Sequence, residues 1–105
     1  MICAKFHFGE NGAGFTVQGH SGSAQAGEDI VCAAVSSAVY MAANTVTEVL
    51  GLSPKLDVRD GFLSLALSDL AEAETARPIL QGLQLHLAGL QEQYPDFIQI
   101  ERGAF

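Results

Sequence analysis

Within GHSGSAQAGEDIVCAAVSS, residues 19–37, two side chains have the types needed for nucleophilic chemistry: the thiol of Cys32 and the imidazole of His20. A thiol attacks a carbonyl as its thiolate, and an unperturbed cysteine, with a pKa of about 8.5, is mostly protonated at neutral pH. The acidic start EDIV and the periodicity that follows predict a helix with Cys32 in its first turn, where unpaired N–H groups and the positive end of the macrodipole favour an anion. Glu28 and Asp29 oppose that charge, so an imidazolium at His20 would carry most of the stabilisation and could then protonate the leaving amine. Asp29 precedes Cys32 by three residues and Ser36 follows it by four, which makes both its neighbours on the helix surface, able to orient the histidine or bond a substrate. Plainer roles fit the same residues: a small buried thiol, a solvated histidine at a strand end, an aspartate N-cap and a surface hydroxyl. Between the pair runs a loop of small residues, among them Gly19, Ser21, Gly22, Ser23 and Gly27, suited to a substrate-gated lid.

The elements that would hold this pair follow from hydrophobic periodicity. Residues 2–8 alternate, with Ile2, Ala4, Phe6 and Phe8 on one face; after a GENG turn, residues 13–20 alternate again, and the two runs form an antiparallel hairpin. His20 ends the second strand on its polar side. A helix runs from Glu28 to Gly51, with Val31, Val35, Ala38, Val39, Ala42, Val46 and Val49 on its apolar face and Asp29, Ser36, Tyr40 and Thr47 opposite. KLDVRDGFLSLALS is a second hairpin turning at Asp60-Gly61. A second helix spans about Glu72 to Tyr94, with Ala76, Ile79, Leu80, Leu83, Leu87 and Leu90 as its stripe; Pro78 is tolerable there only if it lies in the first turn. Pro95 ends it, and DFIQIERG supplies a fifth strand.

The order is therefore ββαββαβ in a single domain of residues 1–105: an α+β two-layer sandwich with a mainly antiparallel five-stranded sheet and two helices on one face. The other sheet face shows Lys5, His7, Thr16 and Gln18. Leu85 points away from its stripe and hints at an interface. Cys3 and His7 read as structural, and His86, at the edge of the second helix's stripe, as a packing residue.

Composition narrows the class of function. A net charge of −7 with only five Lys and Arg argues against a nucleic-acid surface, because phosphate neutralisation needs clustered cations. No Cys/His cluster has zinc spacing and no glycine-rich phosphate loop is present, so neither metal nor cofactor is expected. The start MICAKFHF lacks the features of a signal peptide, and no apolar run approaches the roughly 20 residues of a membrane span, which points to the cytoplasm. A redox-sensing role for Cys32 is discouraged by the lack of a resolving thiol nearby.

Gly19-His20, Gly27 and Asp29-Ile30-Val31-Cys32-Ala33-Ala34-Val35-Ser36 closely resemble the signature of the Prp (YsxB-like) family of ribosomal-processing cysteine proteases, as do the element order and the ending YPDFIQIERG. The resemblance implies a homodimeric cytosolic endopeptidase. Its implied substrate is large-subunit ribosomal protein twenty-seven, from which it removes an N-terminal extension after a hydrophobic motif ending in phenylalanine. It implies Cys32 as nucleophile, His20 as catalytic histidine, Gly19 as the glycine that lets the loop open, and Asp29 and Ser36 as supporting polar residues. The sequence departs from the family pattern at Ser21, where alanine is common, and at Ser23, where a larger residue is frequent; neither change removes a chemical group. A non-catalytic ribosome-assembly protein that binds the same extension is the alternative.

Overall fold

The computed structural model describes residues 1–19 and 26–102, with the backbone alone for residues 26–29 and 102. The two expected hairpins are present. Strand β1 (Ile2–Gly9) pairs antiparallel with β2 (Gly12–Gln18), and β3 (Lys55–Arg59) pairs antiparallel with β4 (Phe62–Leu67). The hairpins join through β2 and β4, and β5 (Ile98–Arg102) adds parallel to β1, giving the order β3-β4-β2-β1-β5. Gly61, at φ +68°, supplies the left-handed position that the turn between β3 and β4 requires.

Helices α1 (Ala26–Asn44) and α2 (Leu70–Gln93) cover one face of this sheet. Because the side-chain period of a strand is two, Ile2, Ala4, Phe6, Phe15, Val17, Leu63, Leu65 and Leu67 all point to the helices and are buried. Phe6 and Phe15 face one another across the β1/β2 pair, ring centroids 5.9 Å apart at a tilt of 35°. Val31, Val35, Val39, Ala42 and Val46 from α1 and Ala76, Leu80, Leu83 and Leu87 from α2 complete the core. On the open face Thr16 donates to the hydroxyl of Ser64 at 3.2 Å.

Several expectations need correction. Helix α1 begins at Ala26, so Asp29 is its fourth residue and is not an N-cap, and Gly27 belongs to the helix rather than to the preceding loop. Val49 was expected in the apolar stripe but is 76% exposed. The cause is a π-helical turn over Thr45–Val49, closed by the Leu50 N–H donating to the Thr45 carbonyl at 2.8 Å, which widens the helix and rotates Val49 off the core side. Helix α2 starts two residues earlier than expected, capped by Asp69, whose carboxylate accepts from the Glu72 N–H at 3.0 Å. Pro78 therefore lies inside α2, beyond its first turn; it is exposed, and it leaves the Glu74 carbonyl without its helical donor. His86 is exposed, on the outer side of α2, and packs against nothing in the core.

The expectation of no membrane-length apolar run also fails on length and composition. Ile30–Val49, 20 residues of mean hydropathy 1.5, is long and apolar enough to cross a membrane. Here its valine side packs into the core against the sheet.

Candidate active site

The end of the sheet where β2 runs out lies beside the N-terminal half of α1 and the β3–β4 turn, and a cleft of about 150 Å³ opens between them. Its floor is apolar, built from Ile2 and Val17 on the sheet, Val35 and Val39 on α1, and Leu63 at the start of β4. That volume matches a cavity able to hold a benzene ring. The walls carry the chemistry. Cys32, Ser36 and Tyr40 line the cleft from successive turns of α1, and Arg59, Gly61 and Phe62 line it from the hairpin.

Cys32 is half-buried, packed on one side against the core. Its place on the border between the buried Val31/Val35 stripe and the exposed Ser36 agrees with the periodicity read from the sequence. Its place along the helix does not. As the seventh residue of α1, Cys32 lies in the second turn, past the four N–H groups left unpaired at a helix start. The macrodipole effect fades within the first turn, so the helix gives the thiolate less support than expected, and the Cys32 N–H is not a free oxyanion donor. Thiolate stabilisation then depends more heavily on a neighbouring cation.

Gly19 stands at the cleft edge with φ +103°, and a Cβ at this position would overlap the Met1 carbonyl oxygen, so both its conformation and its packing demand glycine. Its N–H donates to the Gly61 carbonyl at 2.9 Å, tying the end of β2 to the hairpin turn. His20, Ser21, Gly22 and Ser23 lie outside the described residues, and Asp29 is placed in the first turn of α1 by its backbone alone. Among the described residues no group of three or more His, Cys, Asp or Glu could hold a metal ion.

Tyr40 and Arg59 were not foreseen as site residues. Tyr40 had a usable signal, because it continues the Cys32–Ser36 strip at helical spacing. Arg59 had none, because only the pairing of β4 with β2 brings the Asp60-Gly61 turn alongside α1.

His7, on the open face of the sheet, has a pKa lowered from its ordinary value by burial and, secondarily, by the charge of Lys5. It lies on β1 and is not among the residues that line the cleft.

Comparison with known proteins adds four observations. The family described as cysteine protease Prp matches residues 1–99. The ribosomal processing cysteine protease Prp of Bacillus subtilis (strain 168) is 28% identical over 91 residues, covering 82% of this chain and 81% of the relative. The crystal structure of SMU.848 from Streptococcus mutans superposes with a TM-score of 0.82 at 27% identity, covering 100% of this chain and 96% of that one. At 21% identity, the ribosomal processing protease Prp from S. aureus, crystallised with a substrate peptide, shares the fold with a TM-score of 0.84, covering 98% of this chain and 100% of that one.

Proposed function

Since this chain belongs to the Prp family of cysteine proteases, we propose that it uses Cys32 and His20 as a catalytic dyad to remove the N-terminal extension of large-subunit ribosomal protein twenty-seven during ribosome assembly. The observation that carries this reading is the position of Cys32, half-buried at the wall of a cleft whose apolar floor is sized for one aromatic side chain. A phenylalanine on the acyl side of the scissile bond would seat on Val17, Val35, Val39 and Leu63 and bring its carbonyl carbon to the thiolate.

The steps balance as acyl transfer. Cys32 Sγ adds to the carbonyl carbon, and the C–N bond breaks as His20 protonates the departing amine, leaving a thioester. Water then adds to the thioester carbon with His20 as base; the C–S bond breaks, the thiol is restored and a carboxylate departs. Ser36 lines the cleft one turn beyond Cys32, and in this reading its hydroxyl bonds the substrate main chain. The net charge of −7 favours encounter with a basic ribosomal protein. The same reading makes the protein a cytoplasmic homodimer.

The test is digestion of a synthetic peptide spanning the extension junction, read by mass spectrometry. One cut on the carboxyl side of the phenylalanine, absent in Cys32→Ala, supports the reading. Tight binding with no cut would instead leave a non-catalytic binding protein.

A further inference from the structure

Strand β3 forms one edge of the sheet, and all five of its residues are exposed. The register decides what it exposes. Val58 pairs with Leu63 and Leu56 with Leu65, and residues directly opposite one another share a face of the sheet. Leu63 and Leu65 are buried under the helices, at 5% and 0% exposure, so Val58 and Leu56 point to the helix side as well. Yet these two are 46% and 44% exposed, because the helix layer stops short of β3. Lys55, Asp57 and Arg59 take the opposite face.

The same register orients the main chain. Arg59 and Phe62 flank the tight turn Asp60-Gly61, and in a hairpin of this kind the flanking residues exchange both of their main-chain bonds. Bonded and non-bonded pairs alternate along an antiparallel ladder, so Asp57 and Lys55 also bond toward β4, whereas Val58 and Leu56 turn their N–H and carbonyl groups outward. Because β3 is outermost, no strand of the sheet takes those groups. The edge therefore presents apolar side chains and main-chain donors and acceptors at the same residues. It is also continuous with the cleft: Leu63 belongs to the cleft floor, its partner Val58 lies about 5 Å from it, and Leu56 is about 7 Å further along.

We propose that β3 receives the substrate as an added strand, pairing through Val58 and Leu56 with residues about three or four positions before the phenylalanine seated in the cleft. The occupant is the substrate rather than a second copy of the chain because the apolar strip leads into the floor that holds the acyl-side phenylalanine. This site rests on the protease reading above and extends it. Main-chain pairing selects an extended segment, and Val58 and Leu56 select apolar side chains at alternate positions of that segment.

The test titrates the full chain carrying Cys32→Ala, by calorimetry, with junction peptides that keep about two or about six residues before the phenylalanine. The longer peptide is expected to bind about tenfold tighter or better. Methylating its added backbone nitrogens one at a time should weaken binding at every second position and not between, a pattern that strand pairing produces and side-chain packing alone does not. Val58→Lys combined with Leu56→Lys should remove most of the gain from length. Equal binding of the two lengths, methylation without alternation, or a gain untouched by the double substitution in a variant that still melts cooperatively overturns the proposal. A dimer that dissociates in sedimentation when both residues are replaced makes this edge a contact between copies and overturns it too. Cleavage of the shorter peptide by the unsubstituted chain is scored separately, so cutting without a gain from length removes the β3 site alone.

Discussion

The N–H of Gly19 donates to the carbonyl of Gly61 at 2.9 Å, joining the last residue before His20 to the hairpin turn that carries Arg59 and Phe62. Both glycines sit at positive φ, and both line the cleft. Gly19→Ala would force a Cβ into the Met1 carbonyl oxygen and a side chain into the left-handed region. A loss of about 1–3 kcal/mol in urea denaturation is expected, with a matching fall in peptide cleavage. Gly51→Ala is the control, since its Cβ meets open space and only the positive φ of +67° acts against it; a loss nearer 1 kcal/mol is expected there.

Cys32→Ser keeps the size of the side chain and removes the thiolate. Cleavage should fall by about four orders of magnitude or more, while the melting temperature changes little, because the position is half-buried and no large cavity is made. A single-turnover assay with the junction peptide reads the first effect and calorimetry the second.

Asp69 begins α2 by accepting the Glu72 N–H, and Glu72 in turn accepts from the Ser53 N–H at 3.3 Å, tying the helix start to the segment before β3. Asp69→Ala is expected to cost about 1 kcal/mol by chemical denaturation. Asp69→Asn, which keeps the accepting oxygen, should restore most of it.

His7 gives stability a pH dependence of known sign. Its folded pKa is lowered below the ordinary 6.5, by burial first and by Lys5 second. The unfolded chain therefore binds the proton more tightly, so the contribution is complete above about pH 6.5 and is lost as pH falls through the depressed folded value. Melting temperatures measured from pH 7.5 to 5 should fall toward the acid end, and His7→Gln should flatten that slope.

Much of the fold was legible because each hairpin carried its own signal. Phe6 and Phe15 alternate with polar neighbours, and Asp60-Gly61 marks a turn that Gly61 does occupy at positive φ. What misled were residues whose state is decided beyond their own window. The π turn at Thr45–Val49 breaks the period that placed Val49 inside, and tertiary packing keeps Pro78 in a helix that local rules would have started later. The site divides in the same way. Cys32 and Ser36 share one helix and could be read from spacing as neighbours, whereas Arg59 and Phe62 line the cleft only through sheet pairing.

Strand β1 lies inside the sheet only because β5 pairs with it, Ile2 opposite Ile98, and the Ile2 N–H donates to the Phe97 carbonyl at 2.8 Å. Ile2 is also part of the cleft floor. Pairing β1 with β5 is therefore a contact of long sequence separation, the kind of closure that slows folding most. The floor of the cleft is finished only once this closure is made, so protease activity and the completed sheet should appear together on refolding.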